Sequence, residues 1–123
     1  MVVQLFFRGV SHGKLHDTER LGPDFAAAVA ETMQALATAS RVRILGRLRS
    51  GGMTVGELAA SVEMDPSAVS HQLRLLRHLG FVVGRRDGRH VIYDLHDDHV
   101  AHLLDEAVSH VEQVQLGRSA RST

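Results

Sequence analysis

After residue 22, apolar positions recur every three to four residues, the helical period, through five stretches, broken once by two short β-type runs. Phe25, Ala26, Val29, Ala30, Met33, Leu36 and Ala37 form the first stripe, which starts at Pro23. Thr38-Ala39-Ser40 interrupts it, and Ser40 is placed to cap a second helix over 41–49, with Val42, Ile44, Leu45 and Leu48 inward. Ser50-Gly51-Gly52 ends that helix. Thr54 opens a short third one, where Thr54 and Glu57 match a Thr-x-x-Glu capping box and Leu58, Ala59 and Val62 form the apolar side. Three residues, Glu63-Met64-Asp65, then lead into a fourth helix over 66–80. On it Val69, Leu73, Leu76 and Leu79 share one face, and Ser67, Ser70, His71, Arg74 and His78 the other. Pro66 suits its first turn, Asp65 is its expected cap, and Gly80 its left-handed stop.

Two helices joined by so short a connection, the second with a polar outer face, predict a helix-turn-helix. The runs 81–86 and 90–95 are rich in β-branched and aromatic residues, and Asp87-Gly88 between them signals a tight hairpin. A last helix over 98–116 carries Val100, Leu103, Leu104, Ala107, Val108, Val111 and Val114 on a wide stripe. The predicted fold is mostly α with a small β-hairpin: a winged helix-turn-helix over 23–116, with a flexible arm at 1–22 and a disordered tail at 117–123. The apolar first and last helices, 25–37 and 98–116, are expected to form a homodimer interface.

Composition narrows the chemistry. At 123 residues the chain is one domain, and it has no cysteine, which removes disulfides, thiolate metal sites and cysteine nucleophiles together. No apolar run is long enough to span a membrane and Met1 to Phe7 is too short for a signal peptide, so a cytoplasmic location with no membrane partner is expected. The formal net charge is zero, but it is unevenly spread. Residues 41–90 carry nine arginines against Glu57, Glu63, Asp65 and Asp87, whereas residues 91–116 carry six acids and no Lys or Arg. A basic middle beside an acidic end implies two surfaces with different partners. The fourth helix exposes hydroxyls, an imidazole and a guanidinium but no carboxylate, so it can enter a DNA major groove without repelling phosphate. Ser67, Ser70, His71, Gln72, Arg74 and Arg77 are its candidate contacts to double-stranded operator DNA, and Arg85, Arg86 and Arg89 on the hairpin are placed to grip the backbone.

The chain holds nine histidines, four of them in the acidic end. On a helix, His99, His102, Glu106, His110 and Gln113 fall on one narrow face. His99 and His110 would stand about 16 Å apart along the axis, too far to share one ion. An antiparallel second copy would bring His99 of one chain beside His110 of the other; alternatively His99 and His102, three residues apart, chelate within one chain. Imidazole and carboxylate without sulfur suit Ni(II), Co(II) or Zn(II).

The chain resembles the ArsR/SmtB family of metal-responsive winged-helix repressors over about residues 24–116. The resemblance rests on Leu36-Ala37-Thr38-Ala39-Ser40-Arg41-Val42-Arg43-Ile44-Leu45, on Ser67-Ala68-Val69-Ser70-His71-Gln72-Leu73-Arg74-Leu75-Leu76 and on Gly88-Arg89-His90-Val91-Ile92-Tyr93. It implies a terminal-helix site with Asp97 and His99 from one subunit and His110 from the other. Gln113 stands where members with this site usually have His or Glu, which makes His102, and His12 and His16 in the arm, candidates for further ligands. The expected function is a dimeric regulator, a repressor, that binds a palindromic operator and answers to metal, nickel or cobalt ahead of zinc. The alternatives are a member with a degenerate metal site that takes its signal from a partner protein, and, from another class, a small metal-dependent hydrolase using His99, His102 and Glu106.

Overall fold

The computed structural model describes residues 21–122. A first unit contains helix α1 (Pro23–Gln34), with Asp24 in its first turn, where a carboxylate complements the helix dipole. None of its residues is buried, and Met33 on its apolar stripe is half exposed. The helix stops at Gln34, so Leu36 and Ala37, expected to extend its stripe, lie beyond it. Of the expected arm, residues 1–20 fall outside the described residues.

The second unit, from Ala35 on, holds the winged helix. Its helices are α2 (Ala39–Leu48), α3 (Val55–Val62) and α4 (Pro66–His78). Strands β1 (Val82–Asp87) and β2 (His90–Leu95) follow, and α5 (Asp98–Ser122) closes the chain. Thr38, not Ser40, caps α2: its backbone is extended, its Oγ1 accepts from the Arg41 N–H at 3.3 Å, and Ser40 lies one step inside the helix. The start at Ala39 leaves Val42 39% exposed rather than inward, because Arg41 fills the position facing α4. The Thr54–Glu57 capping box forms as the sequence predicts, with the Glu57 N–H donating to Thr54 Oγ1 at 3.1 Å and the Thr54 N–H to Glu57 Oε1 at 3.0 Å. Asp65 occupies the cap position of α4 without capping it by its side chain, since its carboxylate accepts from the Ser67 hydroxyl instead.

The end of α4 is a Schellman motif. Gly80 has a φ of +83°, its N–H donates to the Arg77 carbonyl at 3.1 Å, and the Phe81 N–H donates to the Leu76 carbonyl at 2.9 Å. Phe81 and Leu76 are both buried, so the motif also seats the start of the hairpin on the core. β1 and β2 pair antiparallel from Val82↔Leu95 to Asp87↔His90. The two-residue turn is therefore Gly88-Arg89, one residue later than Asp87-Gly88; Gly88 at φ +62° takes the first central position, as in a type II′ turn. Met53 bonds to Tyr93 on the free edge of β2, N–H to carbonyl in both directions at 3.0 and 2.8 Å, which anchors the wing to the loop after α2.

Ile44, Leu45 and Leu48 of α2, Leu58 and Val62 of α3, Val69, Leu73 and Leu76 of α4, and Val100 and Leu104 of α5 make one core with Phe81 and Val82. The sequence predicts an end to α5 near residue 116 and a disordered tail; the structure continues the helix through Ser122. Nothing from 117 on stops propagation: there is no proline, and the single Gly117 costs only about 1 kcal/mol against alanine.

Candidate functional site

Two surfaces of the second unit carry the sequence's candidate residues. The first is the outer face of α4 with the wing. The left-handed Glu63, φ 55°, turns the chain between α3 and α4 so that the buried Val69-Leu73-Leu76 stripe faces α3. Ser67, His71, Arg74 and Arg77 are consequently exposed, and Ser70 is half-buried at the margin. Gln72 differs from them. It is half-buried and its Oε1 accepts from Arg41 Nε at 2.9 Å. On the wing, Arg86 and Arg89 are exposed, and Arg85 Nε donates to Asp94 Oδ2 across the hairpin at 3.3 Å. The result is a polar face, cationic at Arg74 and Arg77, with Arg85, Arg86 and Arg89 on the hairpin. Asp65 precedes the helix and Asp87 flanks the hairpin turn, so neither lies on the outer face of α4.

The second surface is the joint between β2 and α5. Asp97 precedes the helix, and its Oδ1 accepts from the Val100 N–H at 3.2 Å, an N-cap interaction. His96 Nδ1 lies 2.9 Å from Asp97 Oδ2 and His99 Nδ1 lies 3.7 Å from Asp97 Oδ1, so one carboxylate stands between two imidazoles. Partial burial pushes the Asp97 carboxyl up, but the His96 hydrogen bond, the Val100 N–H and the nearby His96 and His99 rings outweigh it, and the group is held below its ordinary value. His99 is 78% exposed, and His102, Glu106, His110 and Gln113 are exposed further along α5. Arg49 at the end of α2 clamps this helix by a bidentate pair to Asp105, 3.2 Å from Nε to Oδ1 and 2.9 Å from Nη2 to Oδ2.

Within one chain these groups do not close around an ion. Among the described residues, no set of three or more His, Asp or Glu is placed to hold a metal. Asp97 and His99 stand together, whereas His110 stands about 16 Å along the helix from His99. His12 and His16 lie outside the described residues. Asp97 and His99 offer nitrogen and oxygen donors of the kind that divalent first-row metals take. The same helix exposes Val108, Val111 and Val114.

Two participants have no role in the sequence reading. His96 sits in the histidine-rich run, yet only the geometry of the β2–α5 joint aims it at Asp97. Arg41 carries a signal, an arginine three residues after a capping threonine at a position that faces inward, but its partner is remote in sequence.

Comparison with known proteins bears on the fold and the family. Residues 38–83 match the family model described as bacterial regulatory protein, arsR family. The chain is 53% identical over 109 residues to the HTH-type transcriptional regulator NmtR of Mycobacterium tuberculosis, covering 89% of this chain and 91% of that one. A Staphylococcus aureus relative named as a cadmium resistance transcriptional regulatory protein CadC homolog is 37% identical, over 70% of this chain and 72% of its own. Among solved structures, that of apo-NmtR superposes with a TM-score of 0.68 at 51% identity, covering 85% of this chain and 88% of that one. A homodimeric winged helix-turn-helix DNA-binding domain from Mycobacterium bovis superposes with a TM-score of 0.68 at 26% identity, over 84% and 92% of the two chains.

Proposed function

The chain belongs to the arsR family of bacterial regulatory proteins, and from that premise we propose that it is a dimeric, metal-responsive regulator that binds a palindromic operator and is released from it by metal. Membership in a family of transcriptional regulators displaces the hydrolase alternative. The observation that carries the metal half of the proposal is the Asp97–His99 pair at the root of α5, with no third ligand grouped with it among the described residues.

Operator binding uses the exposed ridge of α4. Ser67, Ser70, His71 and Arg74 meet base edges, while Arg77 and the wing residues Arg85, Arg86 and Arg89 hold phosphate. The exposed Val108, Val111 and Val114 of α5 take a second copy of the same helix. In an antiparallel pair of α5 helices, Asp97 and His99 of one copy stand beside His110 of the other, which gives two equivalent sites. His102 and Glu106 are next in reach, and the amide of Gln113 is a poor ligand.

Ni(II), Co(II) or Zn(II) bound there would supply a fixed distance between the two α5 helices. Each α5 is held to its own α2 by Leu104 and the Arg49–Asp105 pair, so that distance sets the spacing of the two α4 ridges. DNA release needs only a coupling free energy of a few kcal/mol. The cadmium of the Staphylococcus aureus relative's name does not transfer readily, since this chain has no cysteine to offer a soft metal.

The test is DNA affinity, by fluorescence anisotropy, on a duplex recovered from a randomised pool, with chelator and with each of the three metals. At least one metal should weaken binding about tenfold or more, about 1.4 kcal/mol, and Arg74→Ala should abolish binding. If no metal changes an affinity that Arg74→Ala abolishes, the regulator stands and the sensing fails. A member with a degenerate site, taking its signal from a partner protein, is favoured by Gln113 alone. Metal uptake weaker than about micromolar, roughly −8 kcal/mol, would select it.

A further inference from the structure

A glutamine on a recognition helix ordinarily invites a base-reading role, because its amide can accept from and donate to adenine at once. Here the accepting half is already committed. Arg41 Nε donates to Gln72 Oε1 at 2.9 Å, and Arg41 Nη1 donates to the Ala35 carbonyl at 3.2 Å. Arg41 is itself fixed at the root, since its backbone N–H donates to the capping Thr38 Oγ1 at 3.3 Å. One guanidinium therefore ties the start of α2, the strand of chain before it and the middle of α4. Both side chains are half-buried, whereas Ser67, His71 and Arg74 are exposed, so water competes less for this bond than for any at the ridge.

The other contacts of α4 act on its buried face, against α3 and β1, and on its last turn through the Schellman motif, whereas the Arg41–Gln72 bond is a directional side-chain tie at the middle of the helix. A roll of about 20° moves side-chain tips, at a radius of about 5–6 Å, by about 2 Å, enough to break a hydrogen bond. The same roll would carry Ser70, His71 and Arg74 out of register with base edges.

We propose that Arg41 and Gln72 are a positioning pair that sets the roll of α4 and with it the register of the DNA-contacting side chains, and that Gln72 does not read a base. The proposal rests on the DNA-binding role of α4. It predicts a loss of operator discrimination that is spread over the whole half-site, not confined to one base pair.

The experiment uses the full chain and two probes, a duplex recovered from a randomised pool and a scrambled duplex of the same length. Arg41→Ala and Gln72→Ala should each weaken binding to the selected duplex about tenfold, about 1.4 kcal/mol, and leave the scrambled duplex within about twofold. The double variant should be no weaker than Arg41→Ala, because both substitutions remove one interaction. Gln72→Glu, which still offers Arg41 an acceptor, should bind within about threefold of wild type. Single-base substitutions through the selected duplex should show Gln72→Ala flattening every half-site position. If Arg41→Ala fails to fold, Gln72→Ala and Gln72→Glu carry the test.

The pair is overturned if Gln72→Ala loses discrimination at one base pair only, if Gln72→Glu binds worse than Gln72→Ala, if the two single losses add, or if Gln72→Ala matches wild type. Wild-type chain that binds neither duplex would sink the DNA-binding role itself, a result distinct from all of these.

Discussion

Glu63 and Gly52 show how two single residues place the recognition helix and the wing. Glu63 lies at φ 55°, a left-handed conformation that costs a residue with a Cβ roughly 1–2 kcal/mol. Glu63→Gly is expected to raise unfolding free energy by about 1 kcal/mol in urea titration, with DNA affinity unchanged. Gly52 is the opposite case. A Cβ there would come 2.5 Å from Asp94 Oδ1 and 2.7 Å from Ile92 Cγ2, so Gly52→Ala must displace the Asp94 and Ile92 side chains of β2. The expected cost is about 1–3 kcal/mol, seen in the same titration. Neither requirement was readable in sequence. Gly52 looked like a helix stop after Ser50-Gly51, and its close approach to the wing depends on a strand forty residues on. Thr38 and Ser40 were equally eligible caps by type, and the two-residue shift between them decides whether Arg41 or Val42 faces α4.

At the scale of elements, what the sequence displayed best was local. The Thr54–Glu57 box, the Gly80 stop and the valine- and leucine-rich stripes of α3 and α4 formed where their spacing put them, because each is set by neighbours within about one helical turn. The capping box also gives a pH signature. The hydrogen bond from the Thr54 N–H holds the Glu57 carboxyl below its ordinary 4.5. Its stabilising contribution is thus complete above that value and is lost as pH falls through the lower folded one. Glu57→Gln, which keeps an acceptor and loses the charge, should show a flatter fall in thermal midpoint between about pH 5 and 3 than wild type. An equal fall in both would remove Glu57 from the account. The ends of elements were harder to read. The hairpin turn moved to Gly88-Arg89 because the pairing extends to Asp87↔His90, and α5 ran on to Ser122 because nothing after Leu116 forces it to stop.

At the scale of the whole molecule, the legible part of the candidate site was its residue list, and the illegible part was which of those residues meet. The sequence put Asp97, His99, His102 and His110 on one stretch; the fold brings the Asp97 carboxylate to His99 and adds His96 to them. The proposed pairing with a second copy rests on exposure: Val108 and Val111 are each about half exposed, on a helix that buries Val100 and Leu104. Val111→Glu should leave the winged helix folded, yield monomer in sedimentation equilibrium and lose operator affinity, since a lone recognition helix has no twin one duplex turn away. Retained dimer would move the interface off this face.

The claim that metal control is built between subunits is tested most directly by mixing. His99→Ala and His110→Ala homodimers should each bind Ni(II), Co(II) and Zn(II) poorly and fail to respond on DNA. Refolded together, they should form mixed dimers in which one His99 faces one His110, so that about one site per mixed dimer returns and metal again weakens DNA binding. Mixtures that bind no more metal than the parents, or a His110→Ala homodimer that keeps wild-type metal affinity, would contradict a site shared across the dimer and leave the ligands within a single chain.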